Sequence, residues 1–117
     1  YCLCAASNGP YDQQINRLKK ADMLKYFTHC FVSEKVGADK PSQQFFDGCL
    51  KELPGVRPEE CMMIGDSLTA DITGGRAYGM STCWYVPSVE KYREEKSRSG
   101  KQADHIIHDL LELKKIL

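Results

Sequence analysis

The chain has 117 residues, with 16 basic and 16 acidic side chains and a formal charge of zero at pH 7. That balance removes the usual electrostatic ground for a nucleic acid polymer or an acidic membrane surface as partner. No apolar run approaches the roughly 18 residues of a membrane span. The length suits a single domain, and the opening Tyr1-Cys2-Leu3-Cys4-Ala5-Ala6 lacks the basic flank of a signal peptide, so a cytoplasmic protein with a small partner molecule is expected. Cys2, Cys4, Cys30, Cys49, Cys61 and Cys83 mostly lie in apolar runs and form no Cys-x-x-Cys pair, which suits free thiols in a reducing compartment. The first residue is Tyr1, already inside what reads as a strand, so the chain looks cut.

In chain order, short runs rich in Val, Ile, Cys and aromatics alternate with longer amphipathic stretches, the pattern of parallel strands joined by crossover helices. Strands are predicted near Tyr1 to Ala6, Cys30 to Ser33, Cys61 to Ile64, Ser81 to Val86 and His105 to His108. Helices are predicted over Tyr11 to Lys25, with Ile15, Leu18 and Met23 on a common side, over Ser42 to Leu53 after Pro41, over Thr69 to Ala77, and from a cap at Asp109 to Leu117. The charged stretch Pro87 to Gly100 reads as an exposed loop or surface helix. There is no internal repeat.

Three turns carry chemistry. In Ile64-Gly65-Asp66-Ser67-Leu68-Thr69-Ala70-Asp71, a strand ends at Gly65 and two carboxylates follow five residues apart. Ligands bind at the carboxyl ends of parallel strands, so Asp66 and Asp71 are a candidate pair for one hard cation such as Mg²⁺, which takes a few carboxylates together with water and phosphate. Asp71 alone would equally be a favourable charge at a helix start. In Ala6-Ser7-Asn8-Gly9, the Ser7 hydroxyl and the backbone N–H groups around Asn8 and Gly9 form a candidate phosphate cradle, although Ser-Asn-Gly is also an ordinary turn signal. In Val36-Gly37-Ala38-Asp39-Lys40-Pro41, a proline able to open a helix fixes where Lys40 points, and a fixed cation there would neutralise a phosphate or an acyl-phosphate. His29, His105 and His108 lack metal-ligand companions at useful spacing, and Trp84 and Tyr85, inside a β-type run, read as core.

A hydroxyl, a lysine and a paired acid in this order resemble the haloacid dehalogenase superfamily of hydrolases: Ser7 matches its second motif, Lys40 its third, and Gly65-Asp66 through Asp71 its fourth. Ser33-Glu34-Lys35-Val36-Gly37, Lys40-Pro41, Gly74-Gly75-Arg76-Ala77 and Cys83-Trp84-Tyr85 are similar to the pyrimidine 5'-nucleotidase and sugar phosphatase branch. The resemblance implies an α/β fold of the three-layer Rossmann-like kind, with a parallel sheet, flanking helices and no cap domain in these residues. It implies a Mg²⁺-dependent phosphomonoester hydrolase that works through an aspartyl-phosphate on a nucleotide or other small phosphorylated metabolite. Ser7 would bind the phosphoryl group with Asn8 and Gly9, Lys40 would hold the nucleophile and its phospho-intermediate, Asp66 would ligate Mg²⁺, and Asp71 would support that site.

No Asp-x-Asp occurs in these residues, so the family's nucleophile and general acid/base are absent from them. The chain alone is therefore expected to be inactive. The missing first strand would lie mid-sheet, between the strands ending at Ser7 and Asp66, and an N-terminal segment of the same protein or a second copy is expected to fill it. The alternatives are a noncatalytic Mg²⁺- and phosphate-binding module and, more distantly, a receiver-like phosphoacceptor, which needs an acidic pair where Ser7-Asn8 stand.

Overall fold

Apolar runs of three to five residues become strands, and the polar stretches between them become helices. The computed structural model describes residues 1–99 and 103–117 and divides the chain into two units, Tyr1–Pro54 and Gly55–Leu117.

In the first unit β1 (Cys4–Ser7) runs parallel to β2 (His29–Val32), with Ser7 opposite Val32. The crossover is α1 (Tyr11–Lys20), followed by a 3-10 turn at Leu24–Tyr26. The helical pattern continues to Lys25, but the helix stops at Lys20. Asp22 takes the left-handed conformation (φ 56°), and the N–H groups of Asp22 and Met23 donate to the carbonyls of Lys19 and Leu18, so the last carbonyls are satisfied by a Schellman-type ending. Ser33, predicted as the last residue of a strand, instead begins the short helix α2 (Ser33–Val36), which Gly37 closes at φ 91°. α3 (Gln43–Lys51) is opened by Ser42, whose Oγ accepts from the Phe45 N–H at 3.3 Å; Pro41 precedes this cap and does not itself start the helix. Phe31, Val32, Phe45, Phe46 and Cys49 are buried as the core of this unit.

In the second unit β3 (Met62–Gly65), β4 (Ser81–Tyr85) and β5 (His105–Ile107) form a parallel sheet with β4 central. Where one helix is predicted, the chain makes a π-helical turn over Leu68–Thr73 and then α4 (Gly74–Tyr78). Ile72 N–H reaches back to Ser67 O at 3.1 Å, and the Thr73 hydroxyl donates to Leu68 O at 2.7 Å, both five residues back. π-helical turns are frequent at functional sites. α5 (Val89–Ser99) resolves the charged stretch as a helix, with Gly100 outside the described residues. The C-terminal turn opens at Asp109, whose carboxylate accepts from Leu111 N–H at 2.9 Å, and ends in α6 (Leu113–Ile116). Ile72, Cys83, Trp84, Val86 and Ile107 are buried.

The architecture is α/β with parallel sheets and flanking helices. Among the described residues β1 pairs with β2 alone, and β3 with β4 alone. No helix of the described residues is long and apolar enough to cross a membrane.

Candidate functional site

The first unit brings Ser7, Asn8, Gly9 and Lys40 together at the carboxyl end of β1. Lys40 is locked there by the side-chain amide of Asn8, which donates to the Lys40 carbonyl at 3.1 Å and accepts from the Lys40 N–H at 2.8 Å. The ammonium of Lys40 donates to the Ala6 carbonyl at 2.9 Å, which anchors a positive charge at the last residues of the strand. Ser7 Oγ donates to Gln14 Oε1 at 2.8 Å, so α1 orients the hydroxyl. Gly9 has φ 131°, and a Cβ on it would stand 2.8 Å from Gln14 Nε2, so both backbone conformation and space call for glycine.

Two residues that the sequence marks only as part of the run Ser33-Glu34-Lys35-Val36-Gly37, and not as site residues, complete this turn. The buried Ser33 hydroxyl accepts from Gly9 N–H at 2.8 Å and donates to Gly9 O at 3.3 Å, and Glu34 Oε1 accepts from Tyr11 N–H at 3.1 Å at the start of α1. An open groove of about 700 Å³ runs beside them, lined by Asn8, Gly9, Ser33, Glu34 and Asp39 among others. The signal for Ser33 was its place at the end of a strand, beside the carboxyl edge where ligands bind. Cys49 lies in the same unit, and burial, with Cys4 adding to it against the opposing charge of Lys40, pushes its thiol up to about 12. None of the six cysteines is in a disulfide.

In the second unit Asp66 follows β3 and is exposed, while Asp71, in the π-helical turn, is 5% exposed. Asp71 Oδ2 accepts from Ser67 N–H at 3.3 Å, and Ser67 Oγ caps the turn by accepting from Ala70 N–H at 3.0 Å. Asp71 lies directly over Gly65, in the space any larger residue there would need. The Asp66 carbonyl accepts from the indole N–H of the fully buried Trp84 at 3.2 Å, a partnership that a reading of Trp84 as core alone had not included. A cavity of about 380 Å³ is lined by Asp66, Ser67, Thr69, Thr73, Lys91 and Glu95, among others. No group of three His, Cys, Asp or Glu side chains able to hold a metal occurs among the described residues. A donor set of one exposed carboxylate with a second one behind it fits Mg²⁺, which keeps much of its water and takes oxygen from phosphate. It does not fit a fully protein-ligated ion such as structural Zn²⁺.

The HAD-hydrolase-like family profile matches residues 37–113. The chain is 41% identical over 87 residues to the pyrimidine 5'-nucleotidase PynA of Streptococcus pneumoniae, covering 74% of this chain and 37% of that protein. It is 32% identical over 105 residues to a glyceraldehyde 3-phosphate phosphatase of Pyrococcus furiosus, covering 90% of this chain and 42% of that one. The crystal structure of the putative HAD-hydrolase YfnB from Bacillus subtilis, bound to magnesium, superposes with a TM-score of 0.89 at 34% identity, over 100% of this chain and 49% of that one. The chain thus spans half or less of the length of these relatives.

Proposed function

This chain belongs to the HAD-like hydrolase family, and from that premise we propose that it is part of a Mg²⁺-dependent phosphomonoester hydrolase acting on a nucleotide or another small phosphate. The observation that carries the proposal is the Asn8–Lys40 lock with the ammonium on Ala6 O, because it holds a cation rigidly at a strand end beside Ser7. Preorganised charge of this kind stabilises a phosphoryl group without reorganisation cost during reaction. The names of the relatives, a pyrimidine 5'-nucleotidase and a sugar phosphate phosphatase, support the substrate class.

In this proposal Ser7 donates a hydrogen bond to a phosphoryl oxygen, Asn8 and Gly9 shape the turn around it, and Lys40 neutralises its charge. Asp66 ligates Mg²⁺ and Asp71 holds the Asp66 loop in place. The ion, when bound, would draw charge off the phosphoryl oxygens. The attacking carboxylate comes from residues other than these 117, since no Asp-x-Asp is among them. A strand carrying it, from another segment of the same protein or of a second copy of that protein, would pair with an open sheet edge, and the edges of β1 and β3 that lack a partner among the described residues support this. The missing motif also keeps a noncatalytic Mg²⁺- and phosphate-binding module as the second reading.

The test is phosphate release with Mg²⁺ from a panel of nucleotides and sugar phosphates, comparing this chain with Asp66→Asn. Neither is expected to turn over, with Mg²⁺ binding lost in Asp66→Asn, while a longer form carrying an Asp-x-Asp strand is expected to release phosphate. A longer form that binds phosphate and Mg²⁺ without turnover favours the second reading. Turnover by this chain that vanishes with Asp66→Asn would mean another residue attacks phosphorus.

A further inference from the structure

The peptide unit joining Asp66 to Ser67 is held at both polar ends. Its carbonyl accepts from Trp84 Nε1–H at 3.2 Å, and its N–H donates to Asp71 Oδ2 at 3.3 Å. One partner comes from the penultimate residue of β4 and the other from the π-helical turn. Neither can follow the loop if it moves. The indole is fully buried against Ile72 and Val86, with Leu68 and Tyr92 packed on them and the Tyr92 ring centroid 5.9 Å from its own. Asp71 is buried over Gly65. Rotation of the 66–67 peptide would leave a buried indole N–H without an acceptor and turn a carbonyl toward a carboxylate, and both changes are unfavourable.

We propose that Trp84 is a positioning residue for Asp66: its indole N–H, acting with Asp71, fixes the 66–67 peptide and so the direction in which the Asp66 carboxylate leaves the end of β3. This rests on the reading of Asp66 as the Mg²⁺ ligand. The strand end alone would leave that direction to a rotatable loop, and a hard cation rewards carboxylates already in place. Trp84 is the single tryptophan of the chain, so the clamp has one indole N–H resonance of its own.

The test follows that resonance in a nitrogen–proton correlation spectrum of this chain during Mg²⁺ titration, with calorimetry of the same titration, for the parent chain, Asp66→Asn and Trp84→Phe. The indole peak is expected to move with the calorimetric affinity in the parent chain and to stay fixed in Asp66→Asn. Trp84→Phe, with its backbone amide spectrum still dispersed, is expected to bind Mg²⁺ about three- to tenfold more weakly, the worth of one ordinary hydrogen bond. Mg²⁺ binding without movement of the indole peak, or with unchanged affinity in a folded Trp84→Phe, overturns the positioning role and leaves Asp66 as ligand. A parent chain that takes up no Mg²⁺ overturns the metal reading, and this inference with it.

Discussion

Asp71 fills the volume that a side chain on Gly65 would occupy: its carboxylate oxygen, carboxyl carbon and Cβ all fall within the reach of a Cβ built there. Because Asp71 is 5% exposed and already accepts from Ser67 N–H, it has nowhere to swing. Gly65→Ala is expected to destabilise the second unit by about 1–3 kcal/mol, the usual cost of overpacking. Urea unfolding of Gly65→Ala, Asp71→Ala and the double variant checks it. The double variant should cost clearly less than the sum, since trimming Asp71 relieves the clash; strict additivity would mean that the two residues do not compete for space.

Asn8 presents both ends of its amide to the backbone of Lys40. Asn8→Ala removes two exposed hydrogen bonds and should cost about 0.5–1.5 kcal/mol. The sharper readout is local: the Lys40 amide hydrogen should exchange faster in Asn8→Ala and stay protected in Asn8→Asp, which keeps the oxygen that accepts from it.

The turns bearing Ser7, Lys40 and Asp66 were legible in the sequence because their signals are local. Each is a strand or helix boundary marked by Gly, Pro or a change of hydrophobic period. What escaped depends on contacts distant in sequence. Ser33 reads as the end of a strand, yet it begins α2 with its hydroxyl bonded to Gly9, 24 residues earlier. Trp84 reads as core and is core, but its one polar atom reaches Asp66, 18 residues before it. The π-helical turn registers only as helix, because the Ile72 and Thr73 bonds to residues five back leave no separate mark on the hydrophobic pattern.

Cys49 should make the first unit sensitive to alkali. Its thiol is pushed up from 9.0 to about 12 by burial, helped by Cys4. Between those values the unfolded chain gives up a proton that the native chain retains, so stability falls as pH rises through that window. Denaturant midpoints measured from pH 8 to pH 11 should decline, and the Cys49→Ala variant should decline less steeply from its own lower starting point. In native protein at pH 8, a thiol alkylating reagent should modify exposed Cys2 well before Cys49.

Glu112 gives the opposite pH sign at the C-terminal turn. Its carboxylate accepts from the N–H groups of His108 at 2.7 Å and Asp109 at 2.9 Å, and these bonds, that of His108 first, hold its pKa below the ordinary 4.5. The stabilisation is complete above that ordinary value and is lost as pH falls through the lower native one. Amide exchange at His108 and Asp109 should therefore become less protected on acidification below pH 4.5, and Glu112→Gln should show weak protection with little pH dependence.

The two cores differ in kind: all four phenylalanines lie in Tyr1–Pro54, and the sole tryptophan lies in Gly55–Leu117. Light at 295 nm therefore excites only the half that carries Asp66, whereas far-ultraviolet circular dichroism records the helices of both. A chain that melts as one body gives coincident curves by the two methods. A chain whose halves let go separately shows, in the dichroism, a step to which the emission is blind, and that step belongs to the half that holds Lys40.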